Sequence, residues 1–299
     1  MKTTGLLAKQ IKSGVRLVAS RGFLKWVPDE MYLKMIYFIE MGRPLNLDNP
    51  VTYNEKLQWL KLHDRKPEYK VYVDKYEVRE YVRRTVGERY LVPLIAVYDS
   101  VEDIDWEGLP EQFVLKCTHA SHANVICPAK SRLDIVRAKK RLKKWLRRDW
   151  YWYGREWPYK GLRPRIICEE FLGENIIDYK FMCFNGEPRI IQVHQDRTRN
   201  HTLDFLDTSW RKTEIRRRTR TSSQPIPRPS CLDEMLRVAR ELSRDEIHVR
   251  IDLYEVNGRV YFGEKTFYSG SGLIPFYSHE HDRILGDMIV LNARQRQVT

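Results

Sequence analysis

The sequence predicts an α+β protein in which a mainly helical N-terminal region precedes two mixed subdomains. Three observations carry that prediction. Residues 28–90 read as mainly helical, residues 113–127 read as strand, polar loop and strand, and Asn-Gly pairs at 185–186 and 257–258 each separate two apolar runs. An Asn-Gly pair in that setting is a strong hairpin signal, because both residues accept positive φ. The expected division is 1–108 for the helical and mixed N-terminal region, 109–172 for one subdomain and 173–299 for the other.

The 299 residues are 42% hydrophobic and 12% aromatic, enough for a sizeable core and against global disorder. The net charge of +13 points to an anionic partner such as a nucleotide, a polyanionic glycan, nucleic acid or an acidic membrane surface, although a general basic background gives the same number. The five cysteines include no C-x-x-C pair, and four lie in apolar, strand-like runs, as buried thiols of a reducing compartment do. No unbroken apolar leader is visible, and the nearly apolar stretch 31–39 is interrupted by Lys34 and too short to cross a bilayer. A cytoplasmic location is therefore expected.

In chain order, residues 6–26 place Lys9, Lys12, Arg16, Arg21 and Lys25 among Leu6, Leu7, Ile11, Val15, Leu17, Val18 and Phe23. That pattern suits an amphipathic helix packed on the domain, or one in peripheral contact with the inner face of a membrane. Thr52 and Glu55 have capping-box spacing and open a helix, and residues 74–84 carry a second helical pattern. Pro93 ends the helical region, and 94–98 is a short apolar strand. Strand 113–117 leads through the loop Thr118–Asn124 into strand 125–127, the basic helix 132–148 follows, and 150–161 is an aromatic loop with no assigned role. Strands are expected at 165–172, 178–184 and 188–195, an exposed connector at 211–230, a helix at 231–243, and a final hairpin from 250 to 267.

Four groups could carry chemistry. Lys116 is the lone charge in FVLKC, and burying an ammonium is costly unless an anion lies against it; an exposed or snorkelling side chain is the bland alternative. Glu169 and Glu170 end a strand and point to opposite faces, suited to a nucleoside or to ordinary ion pairing. Asp178 and Lys180 share a face, as a nucleotide site or a cross-strand ion pair would require. Arg250 and Asp252 share a face of one strand, and Glu264 and Thr266 share a face of the next. Mg²⁺ takes oxygen ligands, usually one or two carboxylates with phosphate oxygens. A two-residue turn at Asn257-Gly258 puts Asp252 and Glu264 on opposite faces, whereas a three-residue loop with Gly258 left-handed pairs Arg250 with Glu264 and leaves Asp252 alongside. A metal site therefore calls for the longer, bulged loop.

In order, these blocks resemble ATP-grasp enzymes, and more closely the TupA-like ATP-grasp family of bacterial surface-polysaccharide gene clusters. The resemblance spans about residues 28–276 and rests on NPVTYNEKLQWLKLHDR (49–65), DKYEVREYV (74–82), LPEQFVLKCTHASHANVI (109–126), IICEEFL (166–172), DYKFMCFNGEPRIIQV (178–193) and VRIDLYEVNGRVYFGEKTFYSGSG (249–272). It implies two α+β subdomains gripping ATP. Lys116 and Lys180 would hold phosphates, Glu169, Glu170, Phe171 and Leu172 would form the adenine hinge, and Asp178 would face ribose or phosphate. Asp252 and Glu264 would bind Mg²⁺, with Thr266 where such proteins commonly have a third ligand, usually Asn. Arg250 would face the transferring phosphate. The loop after Lys116 lacks the family's usual glycines, leaving Ser121, Asn124 or His122 as phosphate donors. His119-x-x-His122, and His279 with His281, lack a suitably spaced third metal ligand.

The implied function is an ATP- and Mg²⁺-dependent carboxylate–amine ligase acting through an acyl phosphate, joining an amino acid or amine to an acidic sugar or glycan. The rival chemistry at the same site is a phosphotransferase acting on a glycan hydroxyl. A rival of another class is a non-catalytic basic module that binds nucleic acid or acidic lipid; nucleic acid is not the expected partner.

Overall fold

The structure is a computed structural model describing residues 13–19, 21–174, 176–195 and 200–291. Residues 13–19 are helical; residues 6–12 of the expected amphipathic segment lie outside the described residues. Helix α1 (Asp29–Met41) buries Tyr32, Leu33, Ile36 and Tyr37. Helix α2 (Tyr53–His63) opens on the predicted capping box, with the Thr52 backbone N–H donating to the Glu55 carboxylate at 2.9 Å. After the single turn and a half of α3 (Tyr69–Val73), α4 (Val78–Thr85) starts four residues later than its pattern suggests. The Asp74 carboxylate accepts from the backbone N–H groups of Tyr76 and Glu77, so this stretch forms a side-chain-capped turn instead of helix.

The first sheet contains β1 (Leu94–Tyr98), β2 (Phe113–Cys117), β3 (Asn124–Cys127) and β4 (Ile166–Glu170), antiparallel in the order β1-β4-β2-β3. Its outer face places Phe113, Leu115, Cys117 and Cys168 against Ala138 and Leu142 of the basic helix α5 (Ile135–Leu146). Strand alternation turns Lys116, Ile167 and Glu169 to the opposite face. The short helix α6 (Tyr151–Gly154) lies in the aromatic segment before β4.

The second sheet runs β7-β6-β5-β8-β9, with β5 (Asp178–Phe184), β6 (Glu187–Gln195), β7 (Thr202–Asp207), β8 (His248–Val256) and β9 (Arg259–Thr266). Helix α7 (Leu232–Ser243) covers one face, where Met235, Val238, Ala239 and Leu242 meet Phe181, Cys183, Ile191, Val249 and Ile251. Asp178, Lys180, Arg250 and Asp252 point away from that core. Helix α8 (His279–Asp287) returns to α2, where the Asp282 carboxylate accepts from the Asn54 N–H at 3.0 Å and from Arg43 at 2.7 Å.

Two expectations need correction. The segment 211–230 is not simply exposed. Ile215 and Arg217 are buried, and the Arg217 guanidinium lies 4.0 Å from the Phe276 ring centroid while donating to the Ile274 carbonyl. The bulged loop at 257–258 is also absent. Asn257 and Gly258 have φ of 53° and 70° and form the tight turn, pairing Val256 with Arg259. The extra residue is Gly263. Leu253 pairs with Phe262, but Asp252 pairs with Glu264, so a β-bulge restores the shared face that the tight turn alone would deny. A Cβ on residue 263 would stand 2.9 Å from the Tyr254 ring, which explains glycine there.

His248 ties α2 to the second sheet. One ring nitrogen lies 2.9 Å from the Tyr53 hydroxyl and the other 2.8 Å from the Cys183 carbonyl. Burial lowers its pKa to about 3. The unfolded chain binds this proton at mildly acidic pH and the folded chain does not, so stability falls as pH drops below the ordinary histidine value. Between about pH 6.5 and about pH 4.5, we expect this residue to cost about 2 kcal/mol of unfolding free energy. Urea unfolding at several pH values checks it, with His248→Gln expected to flatten that part of the profile; an unchanged slope would count against the assignment.

Candidate active site

The cleft between the sheets is lined by Lys75, Arg79, Lys116 and Glu169 on one side and by Phe262 and Gly263 of β9 on the other. The anion against Lys116 is Glu169, whose Oε2 lies 2.7 Å from Lys116 Nζ; its Oε1 accepts from Arg79 Nη1 at 2.9 Å. Glu169 and Glu170 do point to opposite sides of β4, with Glu169 buried and Glu170 exposed. The Glu170 N–H donates to the Pro93 carbonyl, and Phe171 and Leu172 follow half-buried.

Lys75 and Arg79 escaped the sequence reading, because on a helical pattern they look like ordinary surface cations. In the fold, the Lys75 N–H donates to the Thr118 carbonyl and its ammonium reaches the Ala120 carbonyl at 2.5 Å. Burial lowers the Lys75 pKa, and the Lys116 charge adds to that, while Glu264 of the facing sheet acts in the opposite sense. Its side chain therefore senses both walls. The glycine-poor loop still reaches left-handed backbone, with His122 at φ 56°. Ser121 is half-buried in that loop, and Asn124 sits directly across from Lys116 in the β2–β3 ladder.

On the second sheet, Lys180 lies 2.9 Å from Asp178 Oδ2 and also contacts Asp252 Oδ2. Arg250 is the hub of the remaining groups. Its Nε donates to Asp252 Oδ1 at 2.6 Å, and its Nη2 reaches Asp252 Oδ2 at 2.8 Å, Glu264 Oε1 at 2.7 Å and Thr266 Oγ1 at 3.2 Å. Its Nη1 donates to Ser269 Oγ at 3.0 Å. Burial pushes the Asp252 carboxyl upward against the pull of Arg250 and Lys180. Burial also opposes ionisation of Glu264, but Arg250, Lys180 and Lys75 together hold it well below the usual carboxylate range. Two carboxylates and a hydroxyl gathered around one guanidinium nitrogen form an oxygen donor set that fits a hard divalent cation such as Mg²⁺.

The turn after β9 completes this wall. Gly270, Ser271 and Gly272 all have φ between 57° and 58°, a left-handed run that two glycines make accessible. Lys61 of α2 holds it from behind. Its buried ammonium donates to the Ser271 carbonyl at 2.8 Å, the Gly154 carbonyl at 2.7 Å and Gln58 Oε1 at 2.9 Å. Burial lowers Lys61 to about 8, with Glu156 as the opposing charge. The aromatic segment also reaches this place: burial raises Tyr159 well above the ordinary tyrosine value, and the Glu156 and Glu264 carboxylates add to the rise.

Two antiparallel sheets closing on a charged cleft form the ATP-grasp fold, and enzymes of this class use ATP. Among the families built on it, the chain belongs to the TupA-like ATP-grasp family, whose sequence profile matches residues 55–290. Similar solved structures include a D-alanine–D-alanine ligase from Bacillus anthracis complexed with ATP, at 14% identity and TM-score 0.42, covering 77% of this chain and 67% of that one. An N5-carboxyaminoimidazole synthetase from Staphylococcus aureus complexed with ADP matches at 14% identity and TM-score 0.43, covering 80% and 59%. An L-amino acid ligase from Bacillus licheniformis matches at 10% identity and TM-score 0.44, covering 83% and 57%. The matches thus span less than two thirds of the latter two chains. No curated protein matched the sequence.

The Lys61 contacts imply a stability cost for removing the ammonium, because the Gly154 carbonyl would lose its donor and the Ser271 carbonyl one of its two, the other being Gln58 Nε2 at 3.1 Å. Lys61→Met is expected to lower the unfolding free energy by about 2–4 kcal/mol. Urea denaturation measures this, and a value within about 0.5 kcal/mol of the wild type would show that the contacts carry no weight.

Proposed function

We propose that the protein is an ATP-dependent carboxylate–amine ligase that works through an acyl phosphate and joins an amino acid or other amine to an acidic sugar or glycan. The observation that carries this reading is the Arg250 cluster, where Asp252, Glu264, Thr266 and Ser269 converge on one guanidinium beside Lys180. Lys75 and Lys116 line the cleft whose other side is Phe262 and Gly263 of β9, the strand that also carries Glu264 and Thr266.

In this reading, Lys116, Lys75 and Lys180 compensate the triphosphate, with Ser121 and Asn124 as polar donors from the loop and β3. Binding of phosphate draws Lys116 away from Glu169 and replaces one anionic partner by another. Glu169, Glu170, Phe171 and Leu172 form the adenine side, and Asp178 orients Lys180 and the ribose side. Asp252 and Glu264, assisted by Thr266, would hold Mg²⁺, which supplies charge neutralisation at the phosphates. Arg250 then turns toward the transferring phosphoryl group.

The substrate carboxylate oxygen attacks the γ-phosphorus, the bond to the β-phosphate oxygen breaks, and ADP leaves. An amine next attacks the acyl carbon. The tetrahedral centre collapses, inorganic phosphate departs, and the amine proton passes to a base or water. No protein nucleophile is needed. Fixed cations at the positions where charge shifts make this chiefly a matter of electrostatic preorganisation and positioning. ATP use and the free cysteines support a cytoplasmic setting.

Mg-ATP is expected to raise the thermal midpoint of the protein, and Lys116→Ala to abolish that rise. Incubation with Mg-ATP and a panel of uronic acids, amino acids and glycans should release ADP and phosphate and yield an amide product by mass. Asp252→Asn should lower turnover by about 10²–10³-fold. A stable phosphosugar without phosphate release would make the protein a phosphotransferase, and stabilisation by nucleic acid but not by Mg-ATP would end the enzymatic reading.

A further inference from the structure

Helix α1 is apolar on more than one side. It buries Tyr32, Leu33, Ile36 and Tyr37, yet Met31, Met35 and Phe38 are exposed. Their spacing of four and three residues puts them on one helical face. The segment just before it continues the pattern: Trp26 is 80% exposed and Phe23 65% exposed, and Leu17 and Val18 of the preceding helical stretch are exposed too. Single exposed apolar side chains are commonplace, but seven of them fall within residues 17–38.

Charge decides what fits it. Residues 1–28 contain six lysines and arginines and no aspartate or glutamate. Arg21 and Lys25 are exposed beside Phe23 and Trp26. The nearest acids of α1 are already matched. Asp29 bonds Arg65 and Arg155, Glu30 bonds Lys34, and buried Glu40 bonds Arg16. A second copy of this chain would set like charges against each other. A soluble polyanion would satisfy the cations but leave tryptophan, phenylalanine and methionine in water. A bilayer with anionic headgroups satisfies both, since aromatic rings settle at the headgroup level while cations meet the lipid charge.

We propose that the surface formed by Phe23, Trp26, Met31, Met35 and Phe38, flanked by Arg21 and Lys25, docks the enzyme on an anionic lipid bilayer. This surface differs from the amphipathic segment that the sequence pattern alone marks out. It extends beyond residue 26 onto α1 and uses side chains that no buried stripe would leave outside. Membrane docking is independent of the ligase reading, and either can fail without the other.

The test is flotation of the full chain with vesicles of phosphatidylcholine containing phosphatidylglycerol, compared with vesicles of phosphatidylcholine alone. The wild type is expected to float with the anionic vesicles and to bind the neutral ones about tenfold less. Phe23→Ser with Trp26→Ser should lower the anionic binding by about tenfold while leaving the thermal midpoint and any ATP turnover unchanged. Arg21→Gln with Lys25→Gln should weaken binding to anionic vesicles alone. Failure of the wild type to float, or equal flotation of the serine variant, overturns the proposal. So does a wild-type dimer that the serine substitutions convert to monomer, because the surface would then be a contact between copies.

Discussion

The guanidinium of Arg250 organises the reactive wall. It takes both oxygens of Asp252, one of Glu264, the hydroxyl of Thr266 and the hydroxyl of Ser269, and so joins β8, β9 and the turn beyond them. A buried cation in such a place survives only if carboxylates surround it, and those carboxylates stay ionised only because cations are near. The ensemble is close to neutral before any ligand arrives. In the proposed reaction, incoming phosphate and a divalent ion would exchange partners with groups already charged, which would limit the reorganisation needed at binding.

The rest of the molecule supports that wall from behind. Helix α7 supplies the apolar floor under the second sheet. Helix α2 does the lateral work: Lys61 holds the left-handed turn that carries Ser269, Tyr53 reaches His248, and Asn54 is locked to Asp282 of α8. The N-terminal region is thus structurally continuous with the ATP-grasp sheets. The aromatic segment joins the same buttress through Gly154 and Arg155, whose guanidinium lies between Asp29 and the Trp152 ring.

Much of the fold was legible because local rules and tertiary structure agree. The Thr52–Glu55 box, the two Asn-Gly turns and the apolar strands all appear where the pattern put them. Strand β7 was missed because Asp204 interrupts its apolar run; in the fold that acid is buried, and Lys212 and the Ser222 N–H engage it. The shared faces of Asp178 with Lys180 and of Arg250 with Asp252 were readable from a period of two, whereas the pairing of Asp252 with Glu264 depends on the β-bulge at Gly263, which the sequence pattern did not show. Lys75, Arg79 and Lys61 were not readable. Each lies on a helix or cap where a cation usually meets solvent, and only the three-dimensional approach of another element makes it internal.

The position of Gly263 has a consequence for how this hairpin can vary. Chain turns contribute to the inward or outward sense of β9 only through whether the count of unpaired residues is odd or even. One residue added at the tip and one removed at 263 cancel, so related hairpins could differ in loop length and still present the same acids inward. Length differences in this region are therefore best compared as parity across the whole hairpin, from Arg250 to Thr266, and not loop by loop.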